Sequence, residues 1–85
     1  MRLPIIKHVI GFIGENDEDW VVETIELLEN LTEAKGIKDE ELDVIGELLS
    51  NLYGALEVHN DIKSGTSEKE ALNGFMQRVV GSIDN

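Results

Sequence analysis

The stretch "KDEELDVIGELLSNLYGALEVHNDIKSG" constrains the fold more than any other, because it holds one helical period without interruption from Asp39 to about Lys63. Asp39, Glu40 and Glu41 place negative charge in the first turn, where the helix dipole favours it, and Gly65 supplies the stop. At about 100° per residue, Val44, Ile45, Leu48, Leu49, Leu52, Ala55, Leu56 and Ile62 form one apolar arc. A helix of this kind needs other helices to cover it.

Three further segments provide them. Pro4 suits a first helical turn, and Leu3, Ile6, Ile10 and Ile13 follow at helical spacing, so a helix is expected over 4–14 with Gly14 ending it. The β-branched content of this run leaves a strand as the alternative. A second helix is expected over 17–35, capped by Asn16 or Asp17, with Val21, Thr24, Ile25, Leu28 and Thr32 as its stripe and Trp20, Leu27 and Leu31 flanking. Ser67 precedes Glu70 by three residues, the spacing of a capping box, so the fourth helix runs over 67–83 and buries Ala71, Leu72, Phe75, Met76, Val79 and Ile83. Short connections return each helix alongside the last. The expectation is an all-α, single-domain, antiparallel bundle of four helices (4–14, 17–35, 39–63, 67–83).

At 85 residues such a bundle has a thin core, and the chain has no cysteine for disulfides or thiolate metal sites. Oligomerisation is the remaining source of burial, so completion by homodimerisation is expected. Gly46, Ser50 and Gly54 recur at every fourth residue, and two glycines inside one helix cost about 1 kcal/mol each relative to alanine. Such a ridge admits a close helix, so Gly46, Ser50, Tyr53, Gly54 and Glu57 are the candidate dimer contact. The competing reading is that these glycines fit a helix of the same chain.

The formal net charge is -11, from 18 acidic and 7 basic residues, which disfavours direct nucleic-acid binding and leaves a basic protein partner open. "MRLPIIKHVIGFIGEN" is interrupted by Lys7 and His8 and fits neither a secretion signal nor a membrane span. A soluble, cytoplasmic protein is expected. For chemistry, His59 lies within the apolar arc of the third helix, where a histidine normally serves packing. No Glu-x-x-His pair exists, since Leu56 precedes His59 by three residues and Ile5 precedes His8. The weak metal candidates are His59, Glu57 and three members of the acidic row Glu23, Glu26, Glu29 and Glu33, namely Glu26, Glu29 and Glu33. Lys7 or Arg78 reaching across, solvent, or a basic partner would offset that row. No serine has a nucleophile setting and no glycine loop cradles phosphate, so no catalytic residue and no cofactor is assigned.

The segments "MRLPIIKH", "NDEDWVVETIELLENLTEA", "KDEELDVIGELLSNLYGALEVH" and "GTSEKEALNGFMQRVVGSID" together resemble a family of uncharacterised short, acidic bacterial proteins over nearly the whole chain. The resemblance implies a stand-alone all-helical protein with no assigned activity, and an association with thioredoxin and peroxiredoxin gene neighbours. Without cysteine, that association would mean an accessory role. Gly14 departs from the polar helix former expected there, which would shorten or loosen the first helix. Three functions remain: a non-catalytic interaction or regulatory protein acting as a homodimer, a metal- or ligand-binding protein, an enzyme included, built on His59 and acids, and an acidic decoy for a nucleic-acid-binding protein.

Overall fold

The computed structural model describes residues 2–84, with side chains described for residues 2–79. Four helices follow in order: α1 (Leu3–Glu15), α2 (Asp19–Leu31), α3 (Asp39–Lys63) and α4 (Glu68–Asp84). The first segment is therefore helix, with Pro4 in its first turn where a missing N–H costs nothing. Gly14 neither stops nor shortens it. The end comes at Asn16, whose backbone N–H and side-chain amide both donate to the Phe12 carbonyl, at 2.9 and 3.1 Å.

The other boundaries have equally local causes. Asp17 accepts a hydrogen bond from the Asp19 N–H at 3.1 Å, which starts α2 at Asp19. α2 ends at Leu31, short of the expected Lys35. There Thr32, Glu33 and Ala34 donate three residues back, and the Thr32 hydroxyl binds the Glu29 carbonyl, tightening the chain into turns. Gly36, at φ 83°, then reverses direction. At the start of α3 the Glu41 carboxylate accepts the Lys38 N–H at 3.0 Å. Its far end is a Schellman motif, in which Thr66 donates to Asp61 and Gly65, at φ 109°, donates to Ile62. Ser67 caps α4 through the Glu70 N–H at 3.2 Å.

The four helices pack against one another around α3, which α1, α2 and α4 all contact. α2 runs antiparallel to α3, since Glu18 reaches Lys63 while Glu29 reaches Tyr53. One core joins Ile6 and Ile10 of α1, Ala55 and Val58 of α3, and Ala71, Leu72 and Phe75 of α4. A second joins Ile13 of α1 to Val21 and Ile25 of α2, closed by Leu49, Leu52 and Leu56. Met76 and Val79 pack at the edge of the first core, whereas the side chain of Ile83 lies outside the described residues.

Gly54 is the closest approach in the first core. A Cβ placed there would lie 2.9 Å from the Phe75 ring and 3.2 Å from Ile6 Cδ1, so both side chains occupy the space that glycine leaves open. Three residues earlier, Asn51 is the one buried polar side chain among the described residues. Its Oδ1 accepts the Arg2 N–H at 2.8 Å and its Nδ2 donates to the Glu47 carbonyl at 2.9 Å. This bond ties the entry of α1, where donors lack helical partners, to the middle of α3.

The buried residues of α3 all fall between Asn51 and Val58. Val44 and Leu48, expected in the core, instead stand 58% and 43% exposed, because their half of α3 extends past the helices that cover the rest. The molecule measures 43 × 35 × 18 Å with a radius of gyration of 13.9 Å. A globular domain of this length has a radius near about 12 Å. The accessible surface is 5937 Å², against about 5,000 Å² for a compact monomer of this mass.

Two glycines of α3 should respond in opposite ways to alanine. At Gly54 overpacking of about 1–3 kcal/mol outweighs a helix gain of about 1 kcal/mol. Gly54→Ala is therefore expected to lower the thermal midpoint by several degrees, at about 4–8 °C per kcal/mol. Nothing lies within 4 Å of a Cβ at Gly46. Gly46→Ala should raise the midpoint by up to about 1 kcal/mol equivalent. Circular dichroism melts of both variants check the pair.

Candidate functional site

The small-residue ridge of α3 divides in the structure. Gly54 is buried against Phe75 and Ile6, so it serves packing within the chain and is not available to a second subunit. Gly46 is exposed and Ser50 half-buried. Tyr53 is exposed and donates its hydroxyl to Glu29 of α2 at 2.8 Å, while Glu57 accepts from Arg78 of α4 at 2.9 Å. The ridge is thus flanked by a polar tie to α2 and another to α4.

Those ties also separate the metal candidates. Glu29 is engaged by Tyr53 and Glu57 by Arg78, and Arg78 also reaches Asp61 at 3.4 Å. Both carboxylates that Arg78 meets here belong to α3. His59 is half-buried, with Nε2 3.7 Å from a Glu18 oxygen, and the other Glu18 oxygen takes Lys63 at 3.2 Å. Glu26 is exposed on α2 and Glu33 is exposed in the turns that follow it. Among the described residues no group of three or more His, Asp or Glu side chains is placed to hold a cation. His8 lies on α1 beside Phe12 and Trp20, apart from His59.

A different feature gathers side chains from three helices. His8, Val9 and Phe12 of α1 face Trp20, Val21 and Thr24 of α2 across a cavity of about 230 Å³, with Leu52 of α3 as its floor. Trp20 is 60% exposed and Phe12 41%. The Thr24 hydroxyl is turned to the Trp20 carbonyl at 2.6 Å, which satisfies it and leaves its methyl group for the cavity. The lining is almost wholly apolar.

The same side of the molecule continues toward the turn between α2 and α3. From Trp20 and Thr24, helical spacing carries the row to Leu27 and Leu31, and from Leu52 it carries to Leu48 and Ile45. Leu27 and Leu31 are 61% and 40% exposed. A second recess on this half is lined by Glu40, Glu41, Val44 and Ile45. From the sequence, Trp20 flanks the α2 stripe, and Val44 and Leu48 belong to the apolar arc of α3. The missed signal was the width of the α2 arc: Trp20, Leu27 and Leu31 sit on one flank of the Val21–Ile25–Leu28 stripe, too far round the helix to reach α3 as well.

The model of a family of unknown function, DUF6952, matches residues 1–84, so the chain belongs to that family. No curated protein and no solved structure matches it significantly.

The Tyr53 bond has a measurable signature. Hydrogen bonding to Glu29, with smaller contributions from desolvation and the carboxylate's charge, raises the Tyr53 pKa above the ordinary tyrosine value. The neutral phenol is the favoured form in the folded state, so the bond contributes below the unfolded tyrosine pKa and is lost as pH rises through the folded one. The chain has one tyrosine. Its absorbance titration should therefore show a midpoint above about 10, and Glu29→Gln should bring that midpoint down.

Proposed function

We propose that this member of DUF6952 is a non-catalytic interaction protein that acts as a homodimer. The observation that carries the reading is the exposure of Leu27, Leu31, Val44 and Leu48 on the α2–α3 hairpin, where helical spacing continues the Trp20–Thr24 row to Leu27 and Leu31 and the Leu52 row to Leu48. Scattered apolar residues on a surface need no explanation, whereas a row shared by two adjacent helices is a patch that another surface can bury. The excess of accessible surface over a compact monomer, about 900 Å², is close to one subunit's share of a standard interface, about 800 Å².

A two-fold contact fits this patch because the same apolar row then serves both copies. The remaining small-residue strip, Gly46, Ser50, Tyr53 and Glu57, lies on the opposite flank of α3 from Leu48 and Leu52 and offers only one open aromatic. It is therefore the weaker of the two surfaces. Each copy carries a net charge of -11, and Glu40 and Glu41 border the apolar row. Self-association sets like charges near one another, so salt screening strengthens it.

Sedimentation equilibrium at high micromolar concentration is expected to give twice the chain mass of 9.5 kDa, with tighter association at higher salt. Leu48→Glu should give a folded monomer, because it places a charge in the centre of the contact, while Gly46→Leu should leave the dimer intact. A monomeric unaltered chain overturns the proposal, and loss of the dimer in Gly46→Leu alone moves the contact to the small-residue strip.

A further inference from the structure

The cavity between α1 and α2 lies at the opposite end of α2 from Leu31, and the dimer contact does not need it. The geometry points to a second use: this cavity receives one bulky apolar side chain from a basic amphipathic helix of a partner protein. The inference rests on the reading of the chain as an interaction protein, and not on its self-association.

Size selects the kind of occupant. Sites that enclose a whole small ligand measure roughly 300–1,000 Å³, and this cavity, at about 230 Å³, is smaller and open to solvent. It holds a single large side chain, with Phe12 and Trp20 standing at its mouth. Aromatic walls around one pocket, with uncovered surface beside it, are the arrangement in which one anchor residue carries most of a contact's energy. A helix offers such an anchor together with further apolar residues at i+3, i+4 and i+7, which the exposed faces of Phe12 and Trp20 beside the cavity can meet.

Charge selects its composition. Glu15, Asp17, Asp19 and Glu23 are exposed in the segment from the end of α1 through the first turns of α2 that carries Trp20, and Lys7 and Glu15 line a neighbouring recess that shares His8 and Phe12 with the cavity. His8 is the one titratable group in the lining itself. This acid-rich segment, on a chain of net charge -11, favours lysine and arginine flanking the anchor and opposes an acidic segment. A second copy of the chain brings the same acids and so is the poorer occupant here, unlike at the more apolar end.

The chain's one tryptophan lies in the proposed contact, which gives a direct readout. The probe is a synthetic amphipathic helical peptide without tryptophan, carrying leucine and phenylalanine on one face and lysine and arginine on the other, titrated into the full chain. The expected result is a blue shift of Trp20 emission with saturable binding that weakens as salt rises, opposite in sign to the dimer. The same peptide with glutamate replacing its basic residues should not bind. Thr24→Phe, which fills the cavity from an exposed position, should weaken binding by about 30-fold, the loss typical of one blocked anchor. Leu48→Glu should bind the peptide as the unaltered chain does.

The inference is overturned if the basic and acidic peptides bind equally, if neither binds, or if Thr24→Phe binds unchanged. It is also overturned if a fatty acid shifts Trp20 emission and the basic peptide does not, which would assign the cavity to a small apolar ligand. Loss of peptide binding in Leu48→Glu would place the peptide on the dimer contact and overturn it as well. Failure of the dimer in sedimentation leaves these readouts independent.

Discussion

Gly54 holds the arrangement together by what it lacks. Phe75 from α4 and Ile6 from α1 meet over the same backbone position of α3, so three helices share one point of closest approach. A glycine in mid-helix costs about 1 kcal/mol relative to alanine. The cost is accepted here because the space is filled by two buried side chains whose contacts no longer-branched residue at this position would permit. Asn51, one turn away, fixes the start of α1 on the same stretch. Placement of α1 and α4 thus depends on Asn51, Gly54, Ala55 and Val58 of α3, whereas α2 is held on an adjoining face of nearly the same stretch by Leu49, Leu52 and Leu56.

This concentration explains why the molecule has two unlike sides. Around Gly54 the core is tight because α1 and α4 converge there. On the flank facing Leu52, α1 and α2 instead leave the cavity that Phe12 and Trp20 line. The acidic surface works with that cavity in a consistent way. Carboxylates keep a chain with several exposed large apolar residues soluble, while the same charges bias which surfaces can approach. Polar ties such as Arg78 to Glu57 and Asp61 span α3 and α4 at exposed positions, where an ion pair contributes only about 0–1 kcal/mol. They orient helices already packed by the core.

Much of the secondary structure was legible because its signals are local. The Ser67 cap, the acidic first turn of α3 and the glycine at position 65 each act within a few residues, and the structure places those boundaries within a residue of their expected positions. Local signals misled where two competed. Gly14 looked like a stop, but Asn16 can bond the Phe12 carbonyl twice and ends the helix later. Thr32 looked like part of the α2 stripe, yet its hydroxyl binds Glu29 and the helix has already ended. Helical periodicity identified which residues lie on an apolar face but not which part of that face is covered. That is why Val44 and Leu48 were placed inside, and why the ridge of Gly46, Ser50 and Gly54 seemed to be one surface. Coverage depends on where α1 and α4 land along α3, and Asn51 and Gly54 decide that through contacts distant in sequence. The cavity at Trp20 escaped notice for the same reason, since it belongs to three helices and no single one announces it.

The overhang of α3 has a further consequence for how the protein breathes. From Asp39 to Leu48 no residue of the helix is buried, and its first turn is held by the bond between Glu41 and the Lys38 N–H. Hydrogen bonds that lack burial open with small local free energies, well below that of global unfolding. The amides of this half therefore exchange with solvent ahead of those around Gly54 and Val58. Anything that settles on Val44 and Leu48 acts on that local equilibrium, so association is also an ordering step, and its strength carries the entropy of quieting the end of a helix.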